Sequence, residues 1–217
     1  MEELIHFDKQ LLLAVNGSDS LLLDYIIMTL TTATTWIPLY LSLLYVVLKS
    51  NARREVLFIV ASAALCVLLA GTVDDTIVKP LVARWRPTHD PEIGALVDVV
   101  DNYRGGNYGF FSAHAANTFS IALFFSLLMR KRLFVITMLC YSLINCYTRL
   151  YLGVHYPGDI TVGLIWGALV GWSVYRFFYC RFAHPVDYSL QYLYVPISVF
   201  LLTLVFAFGR GCYIAYL

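Results

Sequence analysis

The sequence predicts an all-α, polytopic membrane protein, with six transmembrane helices and an N-terminal interfacial amphipathic helix in one membrane-embedded domain, residues 1–217. Three observations carry this. Of 217 residues, 60% are hydrophobic, 16% aromatic and only 13% charged, where soluble domains run at about 25% charged. Successive apolar runs approach the roughly 20 residues that cross hydrocarbon as helix. Lysines and arginines of the short links sort to one side of those runs.

Taken in order, residues 2–16 place Leu4, Phe7, Leu11, Leu12 and Val15 on one face and Glu2, His6, Lys9 and Gln10 elsewhere, with Asp8 intruding on the apolar side. This predicts a helix lying in the interface, within a segment 1–20 that ends in the turn Gly17-Ser18-Asp19-Ser20. The acidic start Met1-Glu2-Glu3 is unlike a cleavable signal, so the first span is expected to direct insertion. Leu21 to Lys49 is longer than one perpendicular crossing and carries Thr31, Thr32, Thr34, Thr35 and Pro38. It reads as one tilted or kinked span. A basic loop from Ser50 to Glu55 leads to a second span, Val56 to Val73. Residues 74–111 are then polar and glycine-rich, an extracytoplasmic loop long enough to expect a function of its own. Ser112 to Met129, Leu133 to Thr148, Pro157 to Tyr179 and Leu190 to Phe208 complete the six.

Lys49, Arg53, Arg54, Arg130, Lys131, Arg132, Arg176 and Arg181 fall on the side that is cytoplasmic by the positive-inside rule. Both termini and the long loop then lie outside. The formal net charge of +1 gives no field for nucleic acid. Five cysteines in or beside apolar runs, without CxxC spacing, suggest neither a disulfide framework nor zinc.

Alternating spans bring three polar clusters to the outer face: Lys79 to Pro87, Phe111 to His114, and Arg149 to Asp159. In the last, Pro157 suits the first turn of a helix, which puts Asp159 four residues after His155 within reach of the imidazole. A carboxylate there fixes the tautomer and leaves the other ring nitrogen free to attack. Arg149 suggests an anionic partner. The competing reading of this cluster alone is an Arg–Asp pair capping two helices, with His155 merely interfacial. Together the clusters hold what phosphoryl transfer needs. Lys79, Arg86 and Arg149 neutralise the equatorial oxygens, and Ser112 and the N–H groups at the head of the third helix add donors. His155 attacks phosphorus and His114 serves as acid, then base.

These blocks resemble the type 2 phosphatidic acid phosphatase family, whose pattern is Lys, six residues, Arg-Pro; then Pro-Ser-Gly-His; then Ser-Arg, five residues, His, three residues, Asp. Lys79, Arg86 and Pro87 match the first block and Arg149, His155 and Asp159 the third, with Thr148 for the leading Ser. The middle block keeps Ser112 and His114 but has Phe111 for Pro and Ala113 for Gly, whose N–H still serves the phosphate. The resemblance implies a six-helix membrane phosphatase with His155, His114 and Asp159 catalytic, and Lys79, Arg86, Ser112, Ala113 and Arg149 on the phosphate. It also implies no metal, no cofactor, a lipid phosphate as substrate and the bilayer as environment.

The compact chain resembles a bacterial inner-membrane member facing the periplasm or exterior. Undecaprenyl diphosphate leads the candidate substrates, ahead of phosphatidylglycerol phosphate, phosphatidic acid and a lipid A phosphate. A vanadate-dependent haloperoxidase shares the anion pattern but not the six spans. A non-catalytic lipid-phosphate binder would need the cations but not the histidines. Elsewhere, His89, Asp90 and Glu92 lack ligand spacing for a metal. Arg84 and Trp85 could hold a lipid headgroup but read better as interfacial anchors, and Tyr103, Arg104, Asn107 and Tyr108 as either a lid or a solvated loop.

Overall fold

The computed structural model describes residues 2–183 and 186–216, mostly in helices. In chain order these are α1 (Glu2–Leu13), α2 (Leu21–Thr31), α3 (Ala33–Ser50), α4 (Arg53–Val82), α5 (Ala113–Met129), α6 (Arg132–Tyr151), α7 (Pro157–Phe182) and α8 (Leu190–Ala215). Among the described residues five of these, α3, α4, α6, α7 and α8, are long and apolar enough to cross a membrane. Helix α5 is apolar but 17 residues long.

The expected first span, Leu21 to Lys49, is two helices broken at Thr32, whose backbone is extended (φ −75°, ψ 122°). The threonines explain why the break is tolerated. Thr29 and Thr32 return their hydroxyls to the carbonyls of Tyr25 and Met28 (2.7 and 2.8 Å), Thr35 takes that of Thr29 (2.7 Å), and the Trp36 indole takes that of Leu30 (2.8 Å). Carbonyls freed by the break thus find donors inside the protein. Both halves pack along α8.

The polar stretch expected to open the loop at Asp74 is helical as far as Val82. Two π-helical segments, Leu68–Thr72 and Asp74–Val78, carry α4 onward, and Lys79 holds it by pairing with Asp74 and Asp75 one turn back (2.8 and 2.5 Å). The loop therefore starts at Ala83, in the left-handed region (φ 47°). Such π turns are frequent at functional sites.

Helix α5 is apolar all round, the pattern of a helix buried on every side, and it packs against α4, α6 and α7. Its contact with α7 is the closest. A Cβ added at Gly163, Gly167 or Gly171 would lie 2.7, 2.6 or 2.6 Å from the carbonyl oxygens of Ser112, Ala116 or Ser120. Small residues on both helices let the backbones touch where lipid offers no hydrophobic drive for association. The head of α5 is thereby fixed against the head of α7, where Ser112 N–H donates to the Asp159 carbonyl (3.1 Å).

Gly167→Val is predicted to destabilise the protein by about 1–3 kcal/mol through overpacking against a backbone that cannot yield. A lowered melting temperature in detergent, with Gly209→Ala as the open-space control, checks it.

Candidate active site

All three sequence clusters meet at one end of the bundle, where α4 ends and α5 and α7 begin. Pro157 opens α7, as its sequence suggests, and the Asp159 carboxylate turns back to accept from the Tyr156 N–H (3.0 Å). Ser112 caps α5, its hydroxyl accepting from the Ala115 N–H (3.4 Å), so this side chain already holds the helix head expected to donate to phosphate. Ala113 and His114 occupy the first turn of that helix, where backbone N–H groups lack helical partners.

His155 lies in the α6–α7 connection, 1% exposed. Its Nε2 is 3.2 Å from Arg86 Nη1. A guanidinium only donates, so Nε2 holds a lone pair and the ring proton sits on Nδ1. Nδ1 lies beside Gly109, where an added Cβ would be 3.6 Å away, and 3.7 Å from Asp159 Oδ2. That separation is an ion-pair distance, too long for the hydrogen bond expected from sequence. The reason is competition: Asp159 Oδ1 accepts from Arg84 Nη1 (2.7 Å) and Oδ2 from Tyr156. Burial first, then the positive charges of Arg86, Arg149 and Lys79, holds the His155 pKa well below the ordinary histidine range. The ring is neutral near pH 7, as a nitrogen nucleophile must be.

The cations divide into two kinds. Lys79 is shared by Asp74 and Asp75, and Arg84 by Asp8 and Asp159. Arg86 and Arg149 have no carboxylate in ion-pair contact among the described residues. Arg86 donates to the carbonyls of Tyr108 (3.1 Å) and Val154 (3.2 Å). Arg149, 2% exposed, donates to Thr31 Oγ1 (2.6 Å) and Tyr103 Oη (3.1 Å), while its Nε–H is buried without a partner. Burial and the facing Arg149 charge lower the Arg86 pKa. A buried and a partly buried guanidinium, without direct carboxylate partners among the described residues and set around a neutral imidazole, form a site short of negative charge.

The loop after α4 covers this site. Trp85 and Tyr108 form an antiparallel bridge, Arg86 N–H donates to the Asn107 carbonyl and Gly109 N–H to that of Arg84 (both 2.9 Å). Tyr103 reaches Arg149, and Thr88 and Arg104 tie the loop to itself. Arg84, expected as an interfacial anchor, is instead part of the site. Asp90 and Glu92 hold Lys9, and no group of three His, Cys, Asp or Glu residues suited to a metal is found among the described residues.

Sequence reasoning missed the Arg84–Asp159 pair and its second carboxylate, Asp8. The signal was present in Asp8, the acidic residue that broke an otherwise apolar face.

A family model described as the PAP2 superfamily matches residues 55–183, a stretch that includes every candidate site residue. A protein named lipid A 4'-phosphatase from Bacteroides thetaiotaomicron is 42% identical over 88% of this chain and 83% of its own. One of the same name from Porphyromonas gingivalis is 33% identical over 98% of this chain and 93% of its own. A Mycobacterium tuberculosis protein named decaprenylphosphoryl-5-phosphoribose phosphatase is 37% identical over 61% of this chain and 67% of its own. No solved structure matches.

Arg149→Gln is predicted to weaken binding of inorganic phosphate by about tenfold or more, since hydrogen bonds to charged groups contribute roughly 1.5–3 kcal/mol. It also removes a positive charge that disfavours the imidazolium, so the His155 pKa rises. Calorimetry and histidine ring NMR in detergent read the two effects.

Proposed function

For a chain that belongs to the PAP2 superfamily, and is a membrane lipid phosphatase, we propose metal-independent hydrolysis of a lipid phosphomonoester through a phosphohistidine at His155. The observation that carries this is the pairing of a buried neutral imidazole with two guanidiniums that lack direct carboxylate partners.

The substrate phosphate sits among Arg86, Arg149 and Lys79 and the N–H groups at the head of α5, including that of Ala113, with Ser112 holding that head in place. These groups stabilise the charge of a loose transition state. His155 Nε2 attacks phosphorus as the ester P–O bond breaks, and His114, which the negative charge of the bound phosphate brings to its protonated form, gives that proton to the leaving oxygen. Water, deprotonated by His114, then attacks phosphorus, breaks the P–N bond and releases inorganic phosphate. Asp159, fixed by Arg84 and Tyr156, stabilises the imidazole as positive charge develops.

A cavity of about 630 Å³ opens beside His114, within the roughly 300–1,000 Å³ of ligand pockets. Apolar residues of α3, α4 and α5, among them Leu43, Ile59, Ala63 and Ile121, line it, with Asn117 and Asn145 toward the site end. It is placed to take hydrocarbon from a lipid whose phosphate is at His155. The two relatives named for lipid A favour a phosphate on a lipid A-type glycolipid over undecaprenyl diphosphate. Six spans, counting the kinked pair α2–α3 once and including α5, would leave both termini on one side, and the lysines and arginines in the links of the other side favour a site facing the periplasm or exterior. Helix α1 then lies in the interface with Leu4, Phe7 and Leu11, all exposed, toward lipid.

Purified protein with chelator, offered a panel of lipid phosphates, is expected to release inorganic phosphate, and most rapidly from a lipid A species. His155→Ala is expected to release none and to form no acid-labile phosphoprotein. Dependence on added divalent metal, or turnover by His155→Ala, would sink the mechanism. Ala63→Trp, which fills the cavity, is expected to slow lipid turnover while sparing a small water-soluble phosphate ester.

A further inference from the structure

The carboxylate of Asp8 belongs to α1, outside the matched residues 55–183, yet reaches the heart of the site. Its Oδ2 accepts from Arg84 Nη2 (2.7 Å) and its Oδ1 from the N–H of Gly158 in the first turn of α7 (2.8 Å). The other arm of the same guanidinium holds Asp159 Oδ1 (2.7 Å), and its Cζ lies 4.1 Å from the centre of the Tyr156 ring. A Cβ on Gly158 would come 2.8 Å from Asp8 Oδ2, so the close approach needs a residue without a side chain.

Simple docking of α1 would not call for this group. Leu12, fully buried on the same side, supplies apolar contact, and Lys9 and Asn16 supply polar ties to Asp90, Glu92 and the Asp98 and Tyr151 backbones. A largely buried carboxylate costs desolvation and is retained where its charge has a partner to hold. Arg84 is that partner. Without Asp8 one arm of the fork is unheld, and Asp159 is gripped by a side chain free to rotate.

We propose that Asp8 is a positioning residue for phosphoryl transfer: through Arg84 and the head of α7 it fixes the Asp159 carboxylate, and with it the negative charge that answers the His155 imidazole as it attacks. The inference rests on the function proposed above. It makes α1 part of the catalytic apparatus.

The test compares steady-state phosphate release from a lipid phosphate by four variants in detergent. Asp8→Asn keeps shape and loses charge, and is expected to lower kcat about 10- to 100-fold, as loss of a partner that orients a reacting group commonly does, with KM within about twofold. Arg84→Lys, a point charge that cannot bridge two carboxylates, should show the same split, and Asp8→Glu should recover part of kcat. Asn16→Ala loosens the segment after α1 without touching the site and should lower only the melting temperature. Unchanged kcat in Asp8→Asn, a rise in KM in place of a fall in kcat, or an equal loss in Asn16→Ala overturns the proposal. Should Asp8→Asn not fold, Arg84→Lys with unchanged kcat overturns it equally. Failure of the functional reading shows differently, as no phosphate release by the unsubstituted protein, and removes this inference with it.

Discussion

Backbone-to-backbone contact between α5 and α7 is the constraint on which the site depends. Three glycines one turn apart on α7 let the α5 carbonyls approach where any side chain would collide, and this sets the heads of both helices in register. Ser112 N–H then meets the Asp159 carbonyl, so the helix that carries His114 and the helix that carries Asp159 start from one bonded corner. Chemical groups far apart in sequence are held by packing that occurs below them, in the middle of the bundle.

At that corner the cations differ in how far their charge is already answered. Lys79 and Arg84 are each bracketed by two carboxylates, which keeps them in place and cancels much of their field. Among the described residues, the hydrogen-bond partners of Arg86 and Arg149 are carbonyls, hydroxyls and an imidazole. Neutral partners orient a guanidinium without neutralising it. The electrostatic demand for an anion is therefore concentrated beside His155.

Much of this was legible in the sequence because spacing survives folding. Pro157 announced the helix start, and alternation of spans pointed the three clusters to one end. The helix beyond Asp74 was not legible, since polarity there imitates a loop while π turns and the Lys79 pairs sustain the helix. The role of Arg84 was hidden for another reason. Its partners lie 76 and 75 residues away, and no local pattern encodes a contact of that range. The missing His155–Asp159 hydrogen bond has a local cause, because the carboxylate oxygen nearest the imidazole, Oδ2, is taken by the Tyr156 N–H while Arg84 holds Oδ1.

The cavity beside His114 is lined by Tyr40 and Leu44 of α3 and Val60 and Val67 of α4, all exposed on the outer surface of the bundle. On the function proposed above, such a side opening would admit substrate by lateral diffusion in the bilayer, with its chains never crossing water. Encounter is then a two-dimensional process, and the quantity that saturates the enzyme is the mole fraction of substrate among the surrounding lipids. Diluting the membrane with inert lipid slows turnover even when the total amount of substrate in the vessel is unchanged.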